Sequence, residues 1–384
     1  MLLYATYSEW SYEPAEQLAT SQEYSPETAR PKTRTADTNQ ATNPARPPNN
    51  NGVLGLSDAI PTISKNNPVE DTASPPLRTD VIKNNVLELH INPNKGADIV
   101  GAKLMTYHPT KKETDTPVEL LSLNTGAYHY FQTGLISVLG GDEANHTRPF
   151  KKLSSSGPRD NGAQIKYAYD LVDDAFNTTG IRVIKTYRLK EDSFRVDLEY
   201  EIINNSNSNY EFVQYAQLVK KNAEVERSMF DVETYSFNGG IIYNGDSYEK
   251  LDADDLSDNP YNQTHTSGWA ANIKHHFLVA LLPPENEPFR FEATHKTEER
   301  LDKISAISLE TKTLYPSGKA TIGTQLFIGP KLQGELKKTR EGLELSVDYG
   351  MLAFLAAPLF WLLDNIHKYV GNWGLSIILV TLLI

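Results

Sequence analysis

The amino-acid sequence predicts a mainly β protein: a large antiparallel sandwich over 80–349, an amphipathic helix over 350–368, and the start of a membrane-spanning helix over 369–384. Three observations predict it. Apolar residues between about 80 and 349 recur with a period of two in many short runs separated by turn clusters. No helical pattern alternates with those runs, which favours a sandwich over a parallel α/β sheet. After Tyr349 the apolar period shifts to three and four, and the last 35 residues carry only two formal charges, Asp364 and Lys368.

Taken in order, the chain opens on MLLYATYSEWSYEP, an apolar and aromatic stretch with no basic leader and no small-residue cleavage site. Tyr4, Tyr7, Trp10 and Tyr12 suit the interfacial end of a first transmembrane segment over 1–14, with a ragged terminus as the plain alternative. Residues 15–79 are rich in Pro, Thr, Asn, Ser and Gln and poor in large apolar side chains, so they are expected to form a disordered linker. Regular structure is expected from Asp80. VLELHI puts Leu87, Leu89 and Ile91 on one side of a strand, and FRVDLEYEI puts Phe194, Val196, Leu198, Tyr200 and Ile202 on one face against Arg195, Asp197, Glu199 and Glu201. The break at Glu191-Asp192-Ser193 reads as a hairpin turn. YEFVQYAQLV, HHFLVALL, FRFEA, KISAISLET, ATIGTQLFIG and LELSVDY supply further strand candidates.

Beyond them, Leu352, Leu355, Leu359, Leu362 and Ile366 share a helical face, with Asp364 and Lys368 four apart on the polar side. Pro358 would kink or restart that helix. Its bulky aromatics suit a helix lying in a membrane interface; packing on the sandwich is the alternative. GNWGLSIILVTLLI then runs without charge to Ile384. Eleven helical residues rise about 16 Å against a hydrocarbon core of about 30 Å, so this reads as the first half of a span.

Composition removes several classes of function. Lys and Arg total 37 against 49 Asp and Glu, a net charge of -12, and no basic run is long enough to follow a phosphate backbone, so no nucleic-acid partner is expected. The chain has no cysteine, which excludes disulfide frameworks, thiolate nucleophiles and Cys-based zinc sites. Mean hydropathy is -0.46. Among nine histidines there is no HExxH, and His275-His276 are expected in a strand, pointing to opposite faces. No GxSxG, Walker or GxGxxG motif occurs; Gly140-Gly141 and Gly239-Gly240 read as turn or bulge glycines. DADDLSD lacks the spacing of a calcium loop and reads as a solvated acidic loop. The pairs Asp142-Glu143 and Asp173-Asp174 are not singled out as glycosidase carboxylates by anything around them. No catalytic residue, metal site or cofactor is expected.

The segment VDYGMLAFLAAPLFWLLDNIHKYVGNWGLSIILVTLLI resembles, almost position by position, a junction in the YidC/Oxa/Alb family, where the Gram-negative periplasmic domain meets an interfacial helix and the second transmembrane segment. DYG, PLFWLL, IH and GNWG followed by SII carry the match. SGWAANIKHHFLVALLP, KTYRLKEDSFRVDLEYEIINN, LFIGPKL and NNVLELHINPNKGADIVGAKL are similar to the corresponding stretches upstream, and LLYATYSEW to the end of the first transmembrane segment.

The resemblance implies a periplasmic β-supersandwich, galactose mutarotase-like, on a bacterial inner-membrane insertase and chaperone. Its implied partners are nascent inner-membrane proteins, the Sec translocon with its accessory subunits, and the lipid bilayer. The family's insertion groove uses five transmembrane helices and an arginine in the second of them. The sequence stops at Ile384 before that position, so the resemblance implies a periplasmic portion without the groove. Phe354, Phe360, Trp361 and Trp373 are the aromatics expected at the lipid boundary. The readings from other classes are a carbohydrate-binding or carbohydrate-modifying sandwich and a membrane-tethered adaptor.

Overall fold

The computed structural model describes residues 60, 78–109, 115–124, 126–157, 162–223, 237–347 and 353–383, with side chains from 358 onward in the last range. The expected first transmembrane segment, and the linker except for Ile60, Arg78 and Thr79, lie outside them. The described residues fall into two compact units, one within 60–347 and the other 353–383.

Alternating sequence builds the larger unit. Its strands are β1 (Asp80–Lys83), β2 (Leu87–Asn92), β3 (Asp98–Leu104), β4 (Val118–Leu121), β5 (Tyr128–Ser137), β6 (Lys151–Ser156), β7 (Ala163–Val172), β8 (Thr178–Leu189), β9 (Arg195–Asn204), β10 (Tyr210–Lys221), β11 (Gly239–Tyr243), β12 (Tyr248–Leu251), β13 (Tyr261–Thr266), β14 (Trp269–Ile273), β15 (Phe277–Leu282), β16 (Pro288–Lys296), β17 (Leu301–Ser308), β18 (Lys312–Leu314) and β19 (Lys319–Pro330). They form two antiparallel sheets. The ten-stranded one runs β1-β2-β3-β5-β10-β17-β16-β13, with β4 on β3 and β18 on β10; the nine-stranded one runs β12-β11-β14-β15-β19-β9-β8-β7-β6.

The main core lies between the sheets. Leu87, Leu89 and Ile91 are buried from β2, and Val196, Leu198, Tyr200 and Ile202 from β9, while Arg195, Asp197, Glu199 and Glu201 stay partly exposed, as the period-two pattern predicts. β8 and β9 form the expected hairpin, with Asp192 at φ 54° in its turn. Asn84 holds that turn by donating from Nδ2 to the carbonyls of Lys190 and Ser193 at 2.6 and 2.8 Å.

Four local expectations need correction. The described part of LELSVDY, 343–347, is not a strand: Gly342, at φ 76°, turns the chain, and Leu343–Ser346 form a 3-10 turn that buries Leu343 and Ser346 while Leu345 faces out. DADDLSD contains a short helix, α1 (Ala253–Asp258), because Asp252 caps it by accepting from the Asp254 N–H at 3.0 Å and Leu256 is buried. Gly239 and Gly240 are paired residues of β11, where a Cβ on Gly240 would sit 2.6 Å from Ile304 Cδ1. His275 and His276 lie in the turn before β15, not within it, with ring centroids 4.0 Å apart. Gly140 and Gly141 are turn glycines at φ 82° and 91°.

Helix α2 (Gln333–Thr339) follows β19. In the second unit, α3 (Ala353–Val370) continues through Pro358 and α4 (Trp373–Leu383) follows a two-residue break. The amphipathic element therefore extends two residues past its expected end. Among the described residues no helix is long and apolar enough to cross a membrane.

Candidate functional site

The helical pair α3 and α4 is built by local capping. Gly371, at φ 67°, ends α3 with its N–H on the His367 carbonyl at 2.7 Å. Asn372 then opens α4, its Oδ1 accepting from the Leu375 N–H at 3.2 Å and its carbonyl from the Ser376 N–H at 3.0 Å. Such a tight reversal lets the two helices meet. The His367 and Trp373 rings stack with centroids 3.7 Å apart and planes 9° from parallel. Leu363 on α3 and Ser376 and Val380 on α4 are buried; Leu363 and His367 are four apart, and Ser376 and Val380 are four apart, so each pair shares a helix face. Ser376, with its small side chain, is 0% exposed.

Apart from Thr381, the exposed surface of α4 is aliphatic. Leu375, Ile377, Ile378, Leu379, Leu382 and Leu383 are all exposed, with no charged residue among them. A water-facing helix seldom shows such a surface unless a membrane or another protein covers it. On α3 the polar side carries the Asp364–Lys368 pair at 2.7 Å, and Asn365 donates to the Trp361 carbonyl at 2.7 Å. Trp361 is exposed and Phe360 half-buried; Trp373 is half-buried in its stack, and the Phe354 side chain lies outside the described residues. Tyr369, 92% exposed, was missed by the sequence reading. Its signal was available: a tyrosine beside Lys368 at the end of an amphipathic helix has the chemistry of an interfacial aromatic.

Several charged side chains of the sandwich are paired at its surface or buried in its core. A groove of about 700 Å³ runs over β9 and β19 toward the end of α2. Its cations are engaged: Arg188 makes a bidentate contact with Glu199 at 3.0 and 2.9 Å, Arg195 meets Asp197 at 3.2 Å, and Arg340 meets Glu285 at 3.2 Å. The hydrogen bond from Arg188 holds the Glu199 carboxyl below its ordinary range.

Deeper, Lys185 on β8 is 0% exposed. Its ammonium donates to the Gly96 carbonyl at 2.7 Å and to Asp98 Oδ1 at 3.2 Å, and lies 5.4 to 5.9 Å from the ring centres of Tyr187, Tyr200 and Phe150. Burial pushes Asp98 up to about 6 and Lys185 down to about 8, each against the pull of its partner. Near β4, His129 is held neutral, at about 3, by burial and then by the nearby Lys220 cation. Its Nδ1 lies 3.0 Å from the Leu120 carbonyl, which fixes the proton there and leaves Nε2 to accept from Asn272 at 3.2 Å. Among the described residues no three His, Asp or Glu side chains are grouped to hold a metal. The Lys185–Asp98 pair is sealed in the core.

The family model for the YidC periplasmic domain matches residues 80–362. The chain is similar to the membrane protein insertase YidC of Alkalilimnicola ehrlichii, 33% identical over 318 residues, which cover 82% of this chain and 54% of that protein. The Thioalkalivibrio sulfidiphilus protein of the same name is 33% identical over 81% of this chain and 56% of its own length, and that of Azotobacter vinelandii 30% identical over 90% and 61%. The chain thus spans little more than half the length of these curated relatives. Among solved structures, a galactose mutarotase related enzyme from Lactobacillus acidophilus is 11% identical at a TM-score of 0.44, covering 65% of this chain and 97% of its own. A galactose mutarotase-like protein from Lactobacillus casei is 12% identical at 0.41, covering 65% and 100%. Likenesses this distant carry no argument about sugars. With the domain model matched across both sheets and into α3, the chain belongs to the YidC family, whose periplasmic domain it carries.

Proposed function

We propose that this chain is the periplasmic and membrane-proximal portion of an inner-membrane protein insertase. Its clients are nascent inner-membrane proteins, and the Sec translocon with its accessory subunits is its partner assembly. The observation that carries this reading is the pairing of a charge-free, exposed aliphatic helix with an amphipathic helix at the end of a family-matched periplasmic domain. Physically, α3 lies in the headgroup region, with Trp361, Phe360, Tyr369 and Phe354 as boundary aromatics, and α4 leads into hydrocarbon. The Asp364–Lys368 pair stays on the wet side. Trp373, stacked on His367 at the reversal, sets the angle between the helices at the boundary.

The sandwich contributes a rigid, water-facing body and no covalent chemistry. Insertion itself requires only a lowered cost for polar peptide at membrane depth, supplied by the family's transmembrane groove. The test is complementation. In cells depleted of their own insertase, the full-length parent carrying this segment restores insertion of small inner-membrane proteins. Persistent failure of insertion with normal levels of the parent contradicts the proposal.

A further inference from the structure

Among the described residues of the Pro- and Asn-rich stretch before the sandwich, Ile60 is buried. Ile60 is 6% exposed and packs with Ile136, Val213, Tyr215 and Ile307 in a cluster separate from the main core. Side-chain parity places that cluster. On β10, Phe212, Ala216 and Leu218 face the main core, so Val213 and Tyr215 face away from it. On β5, Phe131 and Leu135 face inward and Ile136 outward. Register then aligns the socket: Val213 lies opposite Ile136, and Tyr215 opposite Ile307 on β17. Three adjacent strands thus offer an aliphatic socket on the outer face of the ten-stranded sheet. Its floor is firm, because Tyr215 is fully buried and its hydroxyl lies 2.6 Å from His146 Nδ1.

The sequence around the anchor is unlike the rest of the linker. Between 15 and 79, Val53, Leu54, Leu56, Ile60 and Ile63 crowd into one short aliphatic island. We infer that the outer face of the ten-stranded sheet is a docking site for the chain's own linker, with Ile60 as the anchoring side chain. Docking divides the linker into a held stretch and a tether. Given the reading of 1–14 as the end of a membrane segment, the chain between that segment and its first hold on the sandwich shrinks from 15–79 to 15–59. Its greatest span falls from about 220 Å to about 150 Å, which limits how far the sandwich can stand from the bilayer. Docking also denies this aliphatic face to other extended segments, because a tethered occupant acts at an effective concentration of about millimolar.

The absence of cysteine makes the test clean. In the full chain, Ile60→Cys is treated with a maleimide, and the rate is compared with that of the same variant unfolded in urea. Docking predicts a native rate slower by at least about tenfold, the protection expected from burying an isoleucine-sized side chain. Val213→Ala in the same background then raises the native rate. Leu135→Ala, which loosens the opposite face of the sheet, controls for general destabilisation and raises it less. Equal native and unfolded rates overturn the inference. So does slow modification that Val213→Ala leaves unchanged, because Ile60 is then shielded elsewhere. Either outcome leaves the insertase reading standing.

Discussion

Replacing Lys185 by methionine tests the energetic account of the core. The substitution keeps an unbranched chain in the space beneath Tyr187 and Tyr200 but removes the ammonium that lies 3.2 Å from Asp98. Asp98, 2% exposed, then keeps only the Thr133 N–H at 3.3 Å among its hydrogen bonds. Leaving one member of a buried pair uncompensated costs ~3–5 kcal/mol at neutral pH. The cost depends on pH, with a sign fixed by the shift. The folded value of Asp98 is already raised from 3.8 to about 6, and losing Lys185 raises it further. A carboxyl raised in the fold contributes stability that is complete below about 4 and lost as pH climbs through the folded value, at ~1.4 kcal/mol per pH unit. Lys185, lowered from 10.5 to about 8, contributes stability above its unfolded value that is lost as pH falls through 8. Lys185→Met is therefore expected to fall ~3–5 kcal/mol behind the parent near pH 7 and to recover much of that near pH 4.5. Urea unfolding followed by circular dichroism at both pH values measures it. A deficit under ~1 kcal/mol near pH 7, or one equal at both pH values, would mean that Lys185 does not compensate a buried Asp98 charge.

Four further outcomes follow from particular contacts. His129, lowered from 6.5 to about 3, contributes stability above 6.5 that drains away as pH falls toward 3, partly masked by the opposite trend of Asp98; His129→Gln should flatten the acid side of the urea-midpoint curve. Gly134→Ala sets a Cβ 2.6 Å from Asn145 Cα and 2.8 Å from the Tyr215 hydroxyl, so it should lower stability by ~1–3 kcal/mol in thermal melts. Glu199→Gln removes the partner of Arg188 at a half-exposed site and should change the urea midpoint by less than ~1 kcal/mol. Leu382→Asp places a charge on the exposed face of α4 and should weaken flotation with phospholipid vesicles by more than about tenfold.

How far the sequence could be read depended on whether a residue's partners were local. β2 and β9 were legible because each has one face in the core and one toward water, which writes a strict alternation into the chain. LELSVDY has the same local pattern but owes its shape to Gly342, whose left-handed turn is a tertiary choice closed against the Tyr243 ring. Lys185 went unread, although parity on β8 carries the clue: residues 181, 183, 187 and 189 point inward, and so does 185. Its compensation lies 87 residues away at Asp98 and could not be seen from one strand. In the helical pair, periodicity and the lack of charge marked the amphipathic helix and the aliphatic α4, and Trp361 was marked as one of its bulky aromatics, whereas the His367–Trp373 stack depends on the reversal at Gly371. Ile60 was hidden by the composition around it, and the aliphatic island that surrounds it in sequence went unread.

The helical pair is expected to enter the membrane while the sandwich stays in water. Single cysteines at Leu379, Trp361 and Ser155, placed in this cysteine-free chain and carrying an environment-sensitive fluorophore, report it directly on vesicles containing acyl-chain quenchers. Quenching should be deep at Leu379, shallow at Trp361, and absent at Ser155 on the exposed edge strand β6. A probe at Leu379 that behaves like the one at Ser155 contradicts that expectation.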